Sequence, residues 1–436
     1  MADATTADPV EPLLQRIKES FPRRIHFAPL NIPLERRLET LAVLGHVLSL
    51  LYCVGLFFLI SAFPPFWPFV VAYLYYAYIV DYNTSENGEV AARRRSPLMR
   101  RLPWFRLYCD YFPIRIHREV ELPPTFPDRL VEPSGTIERW VARFFGQPEA
   151  IVDIAGVSTT NGSDVANKVN GNGNGLSASL PNAATAVGPR YVFGYHPHGI
   201  VSLGAFGAIG TEGAGWERLF PGIPVSLLTL ETNFRLPLYR DYLLSLGISS
   251  VSRKSCTSLL DHNQSICIVV GGARESLLAE PSRLDLIISK RKGFVRLAMK
   301  SKPPVENMTM PATCLVPILS FGENDVYEQV RGDTTSMLYK FQTLVKTVAG
   351  FTVPLLHARG IFNYDWGLMP YRRPITVVVG KPIAVPYTPE PTESEIDVYH
   401  KQYCEELRRL WDTYKDAYFA DYVGLKPEEQ ALNFVE

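Results

Sequence analysis

Two histidines flanking one proline, His196-Pro197-His198, followed by Gly199, are the residues of this chain best suited to moving a proton. Neutral imidazole accepts a proton near pH 7, which makes histidine the commonest general base. Proline fixes φ, and glycine admits a second chain or a substrate at close range, so His198 is expected on a stiff, uncrowded turn. His196 precedes the proline, which favours extended backbone, and is assigned to the strand end before the turn. Taken singly, each histidine also reads as a polar residue satisfied in a loop. His-x-His at a strand end is also a zinc-ligand spacing, although His262, His357 and His400 add no ligand-like spacing to it.

The elements that must hold these side chains follow from the pattern around them. Tyr191-Val192-Phe193-Gly194-Tyr195 has the β-branched and aromatic composition of a buried strand, and Ser202 to Gly210 is a small-residue run leading to the carboxylate of Glu212. Further strands are expected at Val225–Leu230, Ile248–Val251, Ile266–Val270, Ala312–Leu319 and Ile375–Val379. Helices are expected at Leu236–Leu246, with Gly247 as its C-cap, at Ser289–Lys300 and at Thr334–Ala349. Strands alternating with helices argue for an α/β domain with a largely parallel sheet. A long amphipathic helix closes the chain over 392–422. Thr392 and Glu395 form its capping box, and Ile396, Tyr399, Tyr403, Leu407, Leu410, Trp411, Tyr414 and Tyr418 share one face, read as core packing. The Ile266–Val270 strand runs into Gly271-Gly272-Ala273-Arg274-Glu275, a glycine turn presenting Arg274 and Glu275, and Lys290, Arg291, Lys292 and Arg296 cluster around Gly293.

Composition narrows the class. The 436 residues carry 44 basic and 44 acidic side chains, so no global field marks a nucleic-acid binder. Six scattered cysteines form no CxxC pair or zinc spacing and read as buried thiols in a reducing compartment. Residues 1–40 are a polar, Pro-rich tail without a cleavage site. Leu41–Ala62 is an apolar run of about the ~20 residues that span hydrocarbon, and Phe66–Val80 is a shorter aromatic one beyond Pro64 and Pro65. Arginine precedes the pair (Arg23, Arg24, Arg36, Arg37) and follows it (Arg93, Arg94, Arg95, Arg100, Arg101). A transmembrane hairpin over 41–82 with both termini cytosolic is therefore expected. Leu102–Arg143 interleaves aromatics with arginine and fits either the headgroup level or an ordinary helix and strand. Residues 156–188 are Asn, Gly, Ser, Ala and Thr with little to bury, an expected disordered insertion within the domain of residues 83–436.

Six short blocks then occur in order: Tyr111-Phe112-Pro113; His196-Pro197-His198-Gly199; Gly271 to Glu275; Arg291-Lys292-Gly293-Phe294-Val295-Arg296-Leu297-Ala298; Val316-Pro317 with Phe321-Gly322-Glu323; and Gly380-Lys381-Pro382-Ile383. Together they resemble the type 2 diacylglycerol acyltransferases and their monoacylglycerol and wax-alcohol relatives, over roughly Leu41 to Tyr422. One departure is that the family's neutral-lipid box, FLxLxxx plus an apolar residue, has no clean match, since Phe58-Leu59 is followed by Ile60-Ser61. The resemblance implies an acyltransferase-like mixed sheet with flanking helices behind the membrane hairpin. It also implies acyl transfer from acyl-CoA to a lipid hydroxyl, with diacylglycerol as the leading acceptor, at the endoplasmic reticulum and lipid droplets. Such a reaction suits the residues. An alcohol must lose its proton as it attacks a thioester, and His198 is the expected base, worth about 10²–10⁴-fold. Glu275 is expected to orient the imidazole as in catalytic triads. Lys290, Arg291, Lys292 and Arg296 suit the phosphates of coenzyme A, or a solvated basic face. Pro197, Gly199, Gly271, Gly272 and Arg274 support the turns. The leaving thiolate needs no metal or cofactor, acyl-CoA being a substrate, and a homo-oligomer is left open. A non-catalytic lipid-droplet protein is the alternative of another class.

Overall fold

The computed structural model describes residues 25–29, 31–127, 188–281, 283–303, 311–329, 356–419 and 431–435. The expected helix at Thr334–Ala349, the insertion over 156–188 save Gly188, and the stretch from 128 to Arg143 lie outside them. The described α-helices of about two turns and longer are α1 (Leu34–Val47), α2 (Ser49–Ser61), α3 (Trp67–Tyr75), α4 (Gly88–Arg94), α5 (Pro103–Tyr111), α6 (Tyr239–Ser245), α7 (Arg253–Asp261), α8 (Gly293–Lys300) and α9 (Glu393–Phe419). The strands are β1 (Arg115–Arg118), β2 (Arg190–His196), β3 (Val225–Thr229), β4 (Ser249–Ser250), β5 (Ser265–Val269), β6 (Arg283–Ile287), β7 (Thr313–Phe321), β8 (Glu328–Gln329), β9 (Leu356–His357), β10 (Thr376–Val379), β11 (Ile383–Val385) and β12 (Ala431–Val435).

β2 owes its place to its composition. All of Arg190–His196 is buried, as for a strand covered on both faces. It pairs in parallel with β5 on one side and with β7 on the other. The eight-stranded sheet runs β1-β10-β7-β2-β5-β3-β4, with β11 also on β7. The strands from β7 through β4 are parallel, whereas β10 and β11 meet β7 antiparallel, so the sheet is mixed. Side chains alternate between two cores. Tyr191, Phe193 and Tyr195 pack with α1 and α5 on one face, and Val192, Leu315 and Leu319 pack with α8 and α9 on the other. The capping box of α9 forms, Glu395 accepting from the Thr392 N–H at 2.8 Å, and Ile396, Tyr403, Leu407 and Leu410 are buried. β6 and β12, a separate parallel pair, had no counterpart in the sequence reading.

The N-terminal segment departs from the expectation. Leu41–Ala62 is not one helix: α1 and α2 meet at a bend of 67°, and among the described residues no single helix is long and apolar enough to cross a membrane, although this bent pair is so by length and composition. Tertiary packing is the reason. Ala42 and Val43 are buried in the core shared with α5, and the His46 ring stacks on Phe206 with centroids 3.7 Å apart. The first half of the apolar run therefore covers the α/β domain, and the second leaves Leu51, Tyr52, Leu56, Phe58 and Leu59 exposed. α3 follows, continued by a wider turn over Tyr76–Val80, with Trp67, Phe69, Val71 and Ile79 exposed. The headgroup reading of the next segment also gives way. Phe105, Tyr108, Tyr111 and Phe112 are buried, and β1 joins the sheet beside β10.

Glu212 is structural. The buried Arg100 guanidinium donates to its carboxylate at 2.8 Å and to the carbonyls of Ile209, Gly210 and Leu246 at 2.8, 2.8 and 2.7 Å. Removing one member of such a pair strands the other charge in the core. Arg100→Ala is expected to destabilise the fold by about 3–5 kcal/mol, read as a lower midpoint of thermal unfolding in detergent; an unchanged midpoint would show that the pair carries no stability.

Candidate active site

β2 ends on His196, the His196–Pro197 peptide is cis, and the chain then turns through Gly199 at φ +60° and Ser202 at φ +54°. Because β2, β5 and β7 run parallel, their C-terminal ends bring the His196–Gly199 turn, the Gly271–Gly272 turn and Gly322–Glu323 to one rim of the sheet. Ligands of open α/β sheets gather at such a rim.

His198 is partly exposed there. Its Nδ1 lies 3.0 Å from the Gly199 carbonyl oxygen. A carbonyl only accepts, so Nδ1 carries the hydrogen and the Nε2 lone pair is left to take a proton. Burial lowers the imidazole pKa below its ordinary 6.5, partly offset by the Gly199 carbonyl, which keeps the ring neutral at pH 7. The Ser202 hydroxyl donates to the His198 carbonyl at 2.7 Å and closes the turn.

His196 is unlike its neighbour. It is fully buried, its Nε2 lies 3.0 Å from the Tyr403 hydroxyl of α9, and its Nδ1 has no hydrogen-bond partner. Burial holds its pKa down at about 3. The pair is thus split, one ring at the rim and the other inside the sheet's helical cover.

Glu275 approaches the backbone of His198 rather than its ring. One carboxylate oxygen accepts the His198 N–H at 2.6 Å and the other accepts the Ile287 N–H at 2.8 Å. The expectation that it orients the imidazole is corrected accordingly, because the Gly199 carbonyl already occupies Nδ1. Burial raises the Glu275 pKa to about 7, against the two N–H donors and Arg291. Gly271, at φ +110°, packs against this carboxylate, and any Cβ there would strike it.

Glu323 ends the β7 block, and residue type and spacing alone assign it no role. Its carboxylate lies under the turn, accepting the Tyr195 hydroxyl at 2.6 Å and the Gly204 N–H at 3.1 Å. A Cβ on Gly199 would come within 2.7 Å of Glu323 Cγ, which is why that position needs glycine. Burial raises the Glu323 pKa to about 7, opposed by these donors.

The basic cluster runs into α8, with Lys290, Arg291 and Lys292 just before it and Arg296 on it. Lys292 pairs with Asp397 and Arg296 with Glu393, both on the first turns of α9, and Arg291 donates to the Gly271 carbonyl at 3.3 Å. Lys290 and Arg274 also engage neighbours. Among the described residues no group of three or more His, Cys, Asp or Glu is arranged to hold a metal ion.

A family model described as diacylglycerol acyltransferase matches residues 183–425. The chain belongs to that family. It is 43% identical over 394 residues to diacylglycerol O-acyltransferase 1 of Eremothecium gossypii, covering 90% of this chain and 78% of the relative. Diacylglycerol O-acyltransferase 1 of Saccharomyces cerevisiae is also 43% identical, with 91% and 88% covered. The 2-acylglycerol O-acyltransferase 1 of Bos taurus is 35% identical, with 94% and 99% covered. No solved structure matches. This diacylglycerol acyltransferase family member is an enzyme of acyl transfer, and the three motif blocks that follow β2, β5 and β7 meet at the rim that carries His198.

The carboxylates under the turn have a measurable signature. The folded pKa of Glu323, about 7, lies above the ordinary 4.5 of the unfolded chain. Its contribution is therefore full below pH 4.5 and is lost as pH rises toward 7. Glu323→Gln, which does not ionise, is expected to show a shallower decline in melting temperature between pH 5 and 8 than the parent; equal slopes would mean that Glu323 does not titrate in this range.

Proposed function

We propose that the protein esterifies diacylglycerol to triacylglycerol with acyl-CoA as donor, His198 acting as general base. The observation that carries this is the fixed tautomer of His198, a neutral ring at a sheet rim with Nε2 turned over to proton uptake. As the acceptor oxygen attacks the thioester carbonyl, its proton passes to Nε2 and the new C–O bond forms. Collapse of the tetrahedral adduct breaks the C–S bond, and the imidazolium returns the proton to the departing thiolate, so no metal or cofactor is consumed. Glu275 and Glu323 would keep the turn at the distance this transfer needs.

The proposed acyl-CoA site is the cationic start of α8. Lys292 and Arg296 are held by Asp397 and Glu393 across an exposed boundary. Exposed pairs of this kind are worth about 0–1 kcal/mol, so a coenzyme A phosphate would displace them readily. Membrane attachment through the apolar faces of α2 and α3, with both termini cytosolic at the endoplasmic reticulum or lipid droplet, belongs to the same proposal and rests on their exposed Leu, Phe and Trp side chains. A monoacylglycerol acceptor is the second reading, favoured by the bovine relative's likeness over nearly its whole length.

Microsomes from cells lacking neutral-lipid synthesis, given labelled acyl-CoA and each acceptor in turn, decide the substrate. Diacylglycerol is expected to be esterified fastest; a preference for monoacylglycerol or long-chain alcohol would overturn that choice. His198→Ala is expected to cost about 10²–10⁴-fold in turnover with membrane-bound protein unchanged, while His196→Ala is milder; the reverse order would move the base to His196. Neutralising Lys292 and Arg296 together is expected to raise KM for acyl-CoA and leave KM for the acceptor alone, whereas an equal rise in both would count against the phosphate site.

A further inference from the structure

We propose that Tyr403, on the C-terminal helix α9, is a positioning residue for acyl transfer that acts through His196 and keys the seating of α9 to the catalytic turn. The inference rests on the reading of His198 as base, two residues further along the chain. Tyr403 donates its hydroxyl hydrogen to the Gly194 carbonyl at 3.0 Å, because that oxygen can only accept. The same hydroxyl oxygen lies 3.0 Å from His196 Nε2 and, having given its hydrogen away, must accept the Nε2–H. One side chain thus satisfies a strand carbonyl and sets the tautomer of the first histidine. Gly194 and His196 are two apart on β2 and so face the same helical layer.

Three further observations single out this contact from ordinary core packing. Glycine inside a fully buried central strand lacks packing and is entropically unfavourable, yet at Gly194 it is required, since a Cβ would fall on the Tyr403 oxygen. The other ring nitrogen of His196 has no partner, so Tyr403 is the one hydrogen-bonding partner of that ring among the described residues. The Tyr403 ring packs edge-on against Phe294 of α8, centroids 4.8 Å apart, close to Lys292 just before that helix and Arg296 on it, which pair with the first turns of α9. A connected set of contacts therefore runs from the cationic start of α8, through α9 and Tyr403, to His196 and the turn carrying His198.

The test is Tyr403→Phe, which keeps the ring and removes only the hydroxyl. With membrane-bound enzyme, turnover is expected to fall about 10- to 100-fold, the scale of a misplaced catalytic group, with KM for acyl-CoA and acceptor within about twofold. Turnover within twofold of the parent would overturn the proposal. Gly194→Ala is expected to be as damaging in the parent and to add little in the Tyr403→Phe background, where the colliding oxygen is gone; full additivity would show that the two positions act independently. Should Tyr403→Phe fail to accumulate, His196→Gln still decides, because its side-chain N–H can donate to Tyr403 without titrating. Retention of at least about a third of parental turnover supports a positioning role, whereas loss matching His198→Ala would make His196 a reacting group and sink it. His198→Ala, measured alongside, reports on the base itself, so failure of that reading is seen separately.

Discussion

Glu275 reaches from the turn after β5 to take the His198 N–H at 2.6 Å and, with its second oxygen, the Ile287 N–H at the end of β6. Everything at the sheet rim depends on this carboxylate. A backbone N–H buried without an acceptor is costly, and the turn after β2 leaves the sheet just where ladder partners stop. The carboxylate substitutes for the missing strand and fixes where the histidine begins. Burial opposes the anion and the two donors favour it, which is why the group sits near pH 7 rather than at an ordinary carboxylate value.

The same solution is used on the opposite side of the turn. Glu323 gathers the Tyr195 hydroxyl and the Gly204 N–H, so strand β2 is braced through Tyr195 on one face and through His196 and Tyr403 on the other. Alternation along the strand makes this possible, since Tyr195 and His196 must point to opposite layers. His198, past the proline, is free of both layers and sits at the rim. The division of labour between the two histidines follows from that geometry: one ring lies in the core with a pKa held near 3, and the other is near the surface with a tautomer set by its own backbone.

Of the apolar N-terminal helices, α1 is held by its buried Ala42 and Val43, whereas α3 and the turn after it are tied to this framework by polar contacts. Tyr73 of α3 donates to Asp241 at 2.6 Å and accepts from the Leu238 N–H, and Tyr78 donates to the Arg235 carbonyl at 2.7 Å. Just beyond, buried Arg240 meets Asp81 at 2.9 Å and Arg94 meets Asp241 at 2.7 Å. These partners all lie in or just before α6, the helix that follows β3. The exposed Leu, Phe and Trp side chains of α2 and α3 are thereby held in a set position relative to the α/β domain.

Local sequence was sufficient for much of the architecture. Buried strands announce themselves through β-branched and aromatic runs, and the capping box of α9 is written in Thr392 and Glu395, so β2, β5, β7 and α9 were legible with boundary shifts of a residue or a few. The histidine turn and the glycine turn were legible too, because proline and glycine restrict or free the backbone wherever they occur. Partnership was not. The break of Leu41–Ala62 at Leu48 comes from Ala42, Val43 and His46 packing on α5 and Phe206, contacts between residues far apart in the chain. Glu275 looked like a triad carboxylate until the fold showed His198 Nδ1 already bonded to Gly199. Tyr403 looked like one more aromatic on an apolar stripe, and no local signal separates it from Tyr399 or Tyr414. Residue type and spacing determine which element a segment forms and which face it buries; which distant atom meets a given nitrogen is decided only when parallel strands bring their ends to one rim and a helix more than two hundred residues away closes over it.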